Sequence, residues 1–129
     1  RLADALPRLA ERGALVSLFV DPDLAALEAS AELGAPFVEL HTGAYANATG
    51  AARERELERL ARAAERGHRL GLRINAGHGL DYDNVRPVAE LPHVEELNIG
   101  HSIVAHALFV GVEAAIVRML DAMGEGGDR

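Results

Sequence analysis

Short apolar runs of strand length alternate with longer helical patterns along the chain, and this order constrains the fold more than any other feature. No hairpin signal joins successive apolar runs, so each strand must reach the next one through a helix. Crossovers of this kind connect parallel strands, which predicts an α/β fold with a parallel sheet. The predicted strands are 14–20 (ALVSLFV), 36–41 (PFVELH), 70–75 (LGLRIN) and 94–99 (VEELNI).

Helical patterns fill the intervals between these strands. Asp21 and Pro22 are typical of an N-cap and a first helical position, and glycine is typical of a helix end. The small-residue stretch 42–50 (TGAYANATG) indicates a loop. The predicted helices are an amphipathic segment at the start, one from Asp21 to near Gly34, one over 51–66 closed by Gly67, and two over 84–90 and 102–123.

Polar residues alternate with apolar ones near the end of every predicted strand, which makes one face of the sheet polar there. An open sheet covered by helices on both faces would be almost continuously apolar, whereas a barrel with a polar site at its mouth alternates in this way. The sequence therefore favours half of a (β/α)₈ barrel over a small open doubly wound sheet. The residues that share the polar face are Ser17 with Asp21, Phe37 with Glu39 and His41, Arg73 with Asn75, and Glu96 with Asn98.

Charge, cysteine content and the length of the apolar runs exclude several functional classes. The net charge of −7 argues against a nucleic-acid partner, but it allows a small anionic substrate held by a few local donors. The chain contains no cysteine, which indicates a reducing, cytoplasmic setting without disulfides or thiolate metal sites. The longest apolar stretch, 103–120, contains His106, Glu113 and Arg118, so we expect a buried helix and no membrane partner.

Parallel α/β folds bind their ligands at the carboxyl ends of the strands, where His78 is the main candidate. It lies between two glycines in the stretch NAGHG, and flanking glycines permit unusual backbone angles and close approach of a substrate. An imidazole there can donate or accept a proton near neutral pH; a turn histidine without function is the alternative. The full candidate set at the strand ends is Asp21, Glu39, His41, Asn75, His78, Asn98 and His101.

Two further features at the strand ends suggest binding or catalysis. Gly100 and His101 precede the last predicted helix, where backbone N–H groups can hold a phosphate; the alternative is that Ser102 only caps this helix. Glu39 is the one carboxylate of its strand and suits proton transfer or stabilisation of a developing positive charge. The alternative for Glu39 is a structural ion pair with Arg73 on the adjacent strand.

Several longer segments carry a resemblance to a known family: VSLFVDPD, GAPFVELHTGAYA, LGLRINAGHGLDYDNV and HVEELNIGHSIVAHALFVGVEAAI. The blocks ELHTG, NAGHGL and LNIGH are specific in combination. They resemble the C-terminal half of the pyridoxine 5′-phosphate synthase family, the ring-closing enzymes of the deoxyxylulose-dependent vitamin B6 pathway. The resemblance implies that residues 1–129 form the C-terminal half of a (β/α)₈ barrel with additional helices, assembled as a homo-octamer.

The resemblance also implies a reaction and the residues that carry it. The family condenses 1-deoxy-D-xylulose 5-phosphate with 3-amino-2-oxopropyl phosphate to pyridoxine 5′-phosphate, phosphate and water, by acid–base catalysis without a cofactor or metal. His78 would be the general acid that protonates a departing oxygen, and Glu39 would stabilise the transition state. Gly79, Gly100 and His101 would bind the phosphate of the amino ketone. A second histidine, a glutamate and the deoxyxylulose phosphate site belong to the N-terminal half, so this chain alone is expected to be inactive.

Two other functions are compatible with a half-barrel. A different phosphate-binding barrel enzyme, such as an aldolase or isomerase, predicts a Schiff-base lysine or a divalent metal, but the chain contains no lysine and no metal-ligand spacing. An assembly module without catalytic activity predicts self-association through the open sheet edges. The remaining histidines, His68, His93 and His106, are expected to be structural or exposed.

Overall fold

The structure, a computed structural model, describes residues 2–124 and has the predicted alternation of strands and helices. The strands are β1 (Ser17–Val20), β2 (Phe37–His41), β3 (Arg73–Gly77) and β4 (Val94–Asn98). The helices are α1 (Leu2–Ala10), α2 (Leu24–Glu32), α3 (Gly43–Asn47), α4 (Gly50–Arg69), α5 (Val85–Ala89), α6 (His101–Val110) and α7 (Val112–Met123).

All four strands are parallel and lie in chain order, β1-β2-β3-β4, within one sheet. The register aligns Phe19 with Glu39 and Glu39 with Asn75, so these side chains lie in one row across the sheet. The pairing of β3 with β4 is irregular, because the register shifts between Ile74 and Asn75. Four parallel strands alternating with helices confirm the predicted α/β class and are consistent with part of a (β/α)₈ barrel.

The two faces of the sheet differ in chemistry, as the alternation in the sequence predicts. Val38 and Leu40 of β2 and Ile74 of β3 are buried on the apolar face, together with Leu27 of α2 and Leu60 of α4. Burial of such side chains supplies most of the favourable free energy of folding. The opposite face carries partly or largely exposed side chains, among them Phe19, Glu39 and Asn98.

The beginning of α2 differs from the prediction. Asp23, and not Asp21, is its N-cap: the Asp23 carboxylate accepts hydrogen bonds from the backbone N–H groups of Ala25 and Ala26 at 2.7 and 3.3 Å. Both aspartates flank Pro22, so residue type alone cannot distinguish them. Asp21 is left at the carboxyl end of β1, and the first strand begins at Ser17 rather than at residue 14.

Helix α4 also differs, because it continues through Gly67 to Arg69. A Cβ atom at position 67 would collide with Cδ1 of Ile74, so glycine here permits close packing of the helix against β3. The predicted stop at Gly67 is therefore wrong for a reason that lies in tertiary packing. The stretch 42–50 is likewise not only a loop, since it contains the short helix α3.

The apolar stretch near the end of the chain is two helices rather than one. Gly111, with a φ of +87°, separates α6 from α7. The expectation of a buried helix is wrong for the described residues: α6 has no buried residue, and Leu108 and Phe109 are 81% and 88% exposed. None of the helices between residues 2 and 124 combines the length and apolar character that crossing a bilayer requires.

The contact between α4 and β3 gives a stability prediction for the full-length protein. Gly67→Ala should destabilise the protein by about 1–3 kcal/mol through overpacking, although alanine is the better helix former. Ile74→Val removes the Cδ1 atom that the new methyl group meets, so the double variant should regain part of the loss. Thermal melts of the two single variants and the double variant measure this coupling, and strictly additive effects would contradict it.

Candidate active site

A cavity of about 510 Å³ lies at the carboxyl ends of the strands. This is the edge at which parallel α/β folds hold their ligands. All five residues to which the sequence assigns catalytic or binding roles line it: Glu39, His78, Gly79, Gly100 and His101. The other lining residues are Phe19, Leu80, Asn98 and Ile99.

His78 follows directly on the last residue of β3 and has a backbone conformation unusual for its type. Its φ is +84°, and Gly79 after it has a φ of +76°. Non-glycine residues adopt this region infrequently, and such strain is concentrated at functional sites. The unusual backbone angle that the sequence predicts for a flanking glycine is present at Gly79 but not at Gly77, which belongs to β3; His78 itself also has a positive φ. The imidazole of His78 is exposed at the cavity.

Glu39 lies on β2 and is held by a neighbour two strands away. Nδ2 of Asn98 on β4 donates a hydrogen bond of 2.7 Å to Oε2 of Glu39. The carboxylate reaches across Gly77 of the intervening strand β3, where a Cβ atom would collide with Oε1. The half-buried carboxylate therefore faces the cavity while Asn98 holds one of its oxygens.

The alternative role for Glu39, an ion pair with Arg73, is wrong. Nε and Nη2 of Arg73 donate hydrogen bonds of 2.8 and 2.5 Å to Oε2 of Glu95, and the guanidinium lies 4.5 Å from the centroid of the Phe37 ring. The hydrogen bond from Arg73 lowers the pKa of Glu95 below its usual value. Arg73 lies at the amino end of β3 and is bonded to Glu95, so it does not neutralise the Glu39 carboxylate at the cavity.

The amino end of α6 forms another wall of the cavity. Gly100 is the N-cap and His101 the first residue of this ten-residue helix. Apart from the adjacent backbone, no atom of residues 2–124 lies within 4 Å of a Cβ atom built on Gly100, so the approach to the helix end is open. The alternative that Ser102 caps the helix is wrong: its hydroxyl donates a 2.8 Å hydrogen bond to the carbonyl of Leu80 and ties α6 to the loop after β3.

The remaining strand-end candidates lie around this cavity without lining it. Oδ1 of Asp21 and Nδ1 of His41 are 3.2 Å apart, and the His41 ring lies 4.8 Å from the ring of His78. Asn75 is buried, and its Oδ1 has no hydrogen-bond partner among residues 2–124. The sequence reasoning missed Phe19, although Phe19 shares the alternation of Ser17 and Asp21 that would have indicated it.

The other histidines lie away from the cavity. The His68 and His93 rings are stacked with centroids 3.9 Å apart, and His93 lies 3.0 Å from a carboxylate oxygen of Glu65. A hydrogen bond from Arg69, and a further one from His93, lower the pKa of Glu65. Within the described part of the chain, no group of three or more histidine, cysteine or acidic residues is arranged to hold a metal ion.

Comparison with known proteins identifies the family. The family model described as "Pyridoxal phosphate biosynthesis protein PdxJ" matches residues 1–125 of this chain. The chain belongs to this family. It is similar to a pyridoxine 5′-phosphate synthase of Akkermansia muciniphila, with 52% identity over 123 residues that make up 95% of the chain and 50% of that protein.

Other members of the PdxJ family give the same result. A pyridoxine 5′-phosphate synthase of Synechocystis sp. is 58% identical over 123 residues, 95% of this chain and 51% of that protein. One of Thioalkalivibrio sulfidiphilus is 60% identical over 112 residues, 86% of this chain and 46% of that protein. The chain therefore spans about half the length of the curated relatives that it matches.

The contact between Glu39 and Asn98 predicts a pH-dependent defect in the full-length protein. Asn98→Asp replaces the donor with a second carboxylate, so two negative charges would meet at hydrogen-bond distance. We expect the melting temperature to fall by a few degrees at pH 7.5 and to recover towards pH 4.5, where protonation of one carboxyl restores a hydrogen bond. The exposed Asn47, changed to Asp, is the matched control and should show no such recovery. An Asn98→Asp defect of equal size at both pH values would contradict the contact.

Proposed function

We propose that this chain is the C-terminal half of the barrel domain of a pyridoxine 5′-phosphate synthase. The reaction is the condensation of 1-deoxy-D-xylulose 5-phosphate with 3-amino-2-oxopropyl phosphate to pyridoxine 5′-phosphate, phosphate and water. The observation that carries the proposal is the meeting of Glu39, His78 and the Gly100–His101 pair around one cavity in a member of the PdxJ family. A cytoplasmic setting stays a prediction from the cysteine-free sequence.

His78 is the proton donor in this proposal. An imidazole changes its protonation state near neutral pH, so it can protonate a departing oxygen without an extreme environment. The ring of His78 is exposed at the cavity wall and is therefore accessible to a substrate. The strained backbone of His78, directly after β3, determines the position from which its side chain extends. General acid catalysis of this kind contributes rate factors of about 10² to 10⁴.

Gly79, Gly100 and His101 bind the phosphate of the amino ketone. The free N–H groups at a helix N-terminus and the helix dipole favour an anion there. The open space at Gly100 allows a phosphate to approach the backbone closely, and Gly79 lines the same cavity. The imidazole of His101 adds a donor on the same side of the cavity.

Glu39 stabilises the transition state. Its carboxylate, fixed by Asn98, lies on the wall of the cavity that His78 also lines. A negative charge held in place can stabilise positive charge that develops on the amine or imine nitrogen during condensation, without reorganising at the moment of reaction. The carboxylate needs no metal for this role, and the proposal includes no cofactor.

The proposal assigns the remaining chemistry to the part of the protein outside this chain. A second histidine, a glutamate and the site for 1-deoxy-D-xylulose 5-phosphate would complete the acid–base set there. The chain spans about half of its relatives, and β1 and β4 are both edge strands in the described residues. The chain by itself should therefore have no synthase activity.

Two substitutions in the full-length protein separate the two roles. His78→Ala should lower kcat by about 10²- to 10⁴-fold with a much smaller change in KM, because a proton donor acts mainly on the barrier. His101→Ala should instead raise KM for 3-amino-2-oxopropyl phosphate by about 10- to 100-fold, as expected for a lost charge-assisted contact. Steady-state formation of pyridoxine 5′-phosphate from the two substrates measures both.

His68→Ala is the matched control for these variants, because His68 is exposed on α4 far from the cavity. It should retain the kinetics of the parent protein. Normal turnover in both His78→Ala and His101→Ala would show that the residue roles are wrong. If the full-length parent protein forms no pyridoxine 5′-phosphate, the proposed function itself is wrong.

We also propose that the full-length protein self-associates, with the octamer implied by the family resemblance as the expected state. Large exposed apolar side chains are concentrated on α6 and α7, and apolar surface of this kind in a folded protein marks an interaction site. A second copy is the occupant that the proposal names. These side chains, the α6–α7 apolar surface, are Val104, Leu108, Phe109, Val110, Val112, Ile116 and Val117.

Leu108→Glu tests the assembly. The charge would be placed in the interface, so light scattering of the full-length variant should give a smaller mass than the parent at the same concentration. Leu24→Glu makes the same change at an exposed leucine of α2, outside the α6–α7 apolar surface, and should leave the mass unchanged. A Leu108→Glu variant with the mass of the parent would contradict this use of the surface.

A further inference from the structure

Three consecutive residues at the end of β2 and the start of α3 contact the segment around His78: His41, Thr42 and Gly43. We propose that this His-Thr-Gly segment is a positioning element that holds the His78 imidazole in the orientation from which it donates its proton. The inference rests on the proposed function, because it takes the proton-donor role of His78 from there. Each of the three residues acts on His78 by a different contact.

Thr42 holds the backbone on both sides of the Cα atom of His78. Its hydroxyl oxygen lies 2.7 Å from the carbonyl oxygen of Gly77 and 2.6 Å from that of His78, and it shares its proton between them. The backbone N–H of Thr42 donates a further hydrogen bond of 2.9 Å to Gly77. The two carbonyls belong to the peptide groups that flank residue 78, so one hydroxyl restrains both dihedral angles of the strained residue.

Thr42 cannot act on a substrate directly. The side chain is fully buried, and it does not line the cavity. Within residues 2–124 this buried hydroxyl bonds to the carbonyls of Gly77 and His78, so it can influence the reaction through the placement of His78. This makes Thr42 a positioning residue rather than a catalytic one.

Gly43 provides the space in which two imidazole rings meet. A Cβ atom at this position would lie 2.7 Å from Nε2 of His41 and 3.3 Å from Cδ2 of His78. Both distances are shorter than ordinary van der Waals contact. The absence of a side chain at position 43 therefore lets the rings of His41 and His78 lie over the same backbone atom.

His41 packs against the His78 ring itself. The two ring centroids are 4.8 Å apart with the planes inclined by 66°, an edge-to-face arrangement. Nδ1 of His41 donates to the carboxylate of Asp21 at 3.2 Å, because an ionised carboxylate can only accept. The ring of Phe19 also lies near both imidazoles, with its centroid 5.1 Å from that of His41 and 6.4 Å from that of His78. His41 is thus held by Asp21 and Phe19, and its ring restricts the orientations open to the neighbouring His78 ring in this proposal.

The test uses the full-length protein and variants at Thr42. Thr42→Val keeps the β-branched shape and the backbone N–H but removes the hydroxyl. We expect kcat to fall about 10- to 100-fold, since a displacement of a catalytic group by about 1 Å can cost a factor of this size. KM for 3-amino-2-oxopropyl phosphate should change less than about 3-fold, because the phosphate contacts are untouched. Thr42→Ser retains the hydroxyl and should restore most of the lost turnover.

Thr49→Val is the matched control, because Thr49 is exposed ahead of α4 and its side chain makes no capping hydrogen bond. It should keep the kcat of the parent protein. Equal losses in Thr42→Val and Thr42→Ser, or a parental kcat in Thr42→Val, would overturn the proposal. Gly43→Ala is the second variant if Thr42→Val does not fold: the added methyl group should lower kcat while KM changes little, and an unchanged kcat would overturn the proposal equally.

A measurement without turnover separates this inference from the proposed function. The Cε1–H signal of His78 can be followed by NMR in protein with ¹³C-labelled histidine and assigned by its loss in His78→Ala. Thr42→Val should shift or broaden this signal, while Thr49→Val should leave it unchanged. If the parent protein makes no pyridoxine 5′-phosphate, the proposed function fails. If the His78 signal is identical in the parent protein and Thr42→Val, positioning by Thr42 fails.

Discussion

Parallel pairing of the four strands in chain order is the constraint on which the rest of the molecule depends. It brings every carboxyl end to one edge, so residues as distant in sequence as Glu39 and Asn98 can share a hydrogen bond. It also separates an apolar face, buried by the helices, from a polar face that is free to carry chemistry. Gly77 of β3 lies between Glu39 and Asn98, and because it has no side chain the hydrogen bond between them can cross this strand. The site is therefore a product of the sheet rather than of any single loop.

The parts of this arrangement that follow local rules could be predicted from the sequence. The alternation of polar and apolar residues in the strands located Glu39 and His41 on one face, and the strand-end rule located His78, Gly100 and His101. These predictions require only the period of a strand and the common edge of a parallel sheet. The structure brings Glu39, His78, Gly79, Gly100 and His101 to one cavity, although the role of each residue stays a proposal.

The parts that depend on tertiary contacts could not be predicted. Gly67 has the residue type of a helix end, yet it lies inside α4 because the helix packs closely on Ile74. Ser102 has the residue type of a cap, yet its hydroxyl donates a hydrogen bond to the carbonyl of Leu80. Thr42 follows a strand end, a position that could have drawn attention to it, but its bonds to residues 77 and 78 exist only after β2 and β3 have paired. In each case a long-range partner decides between two locally acceptable structures.

The strand order also has a consequence for how the chain folds. Each strand pairs with the next one along the chain, but every pairing must first close a connection that contains at least one helix. The entropy of closing these connections is lost before the pairing contacts repay it, and parallel sheets fold slowly for this reason. We therefore expect formation of the sheet to limit the folding rate of this part of the protein.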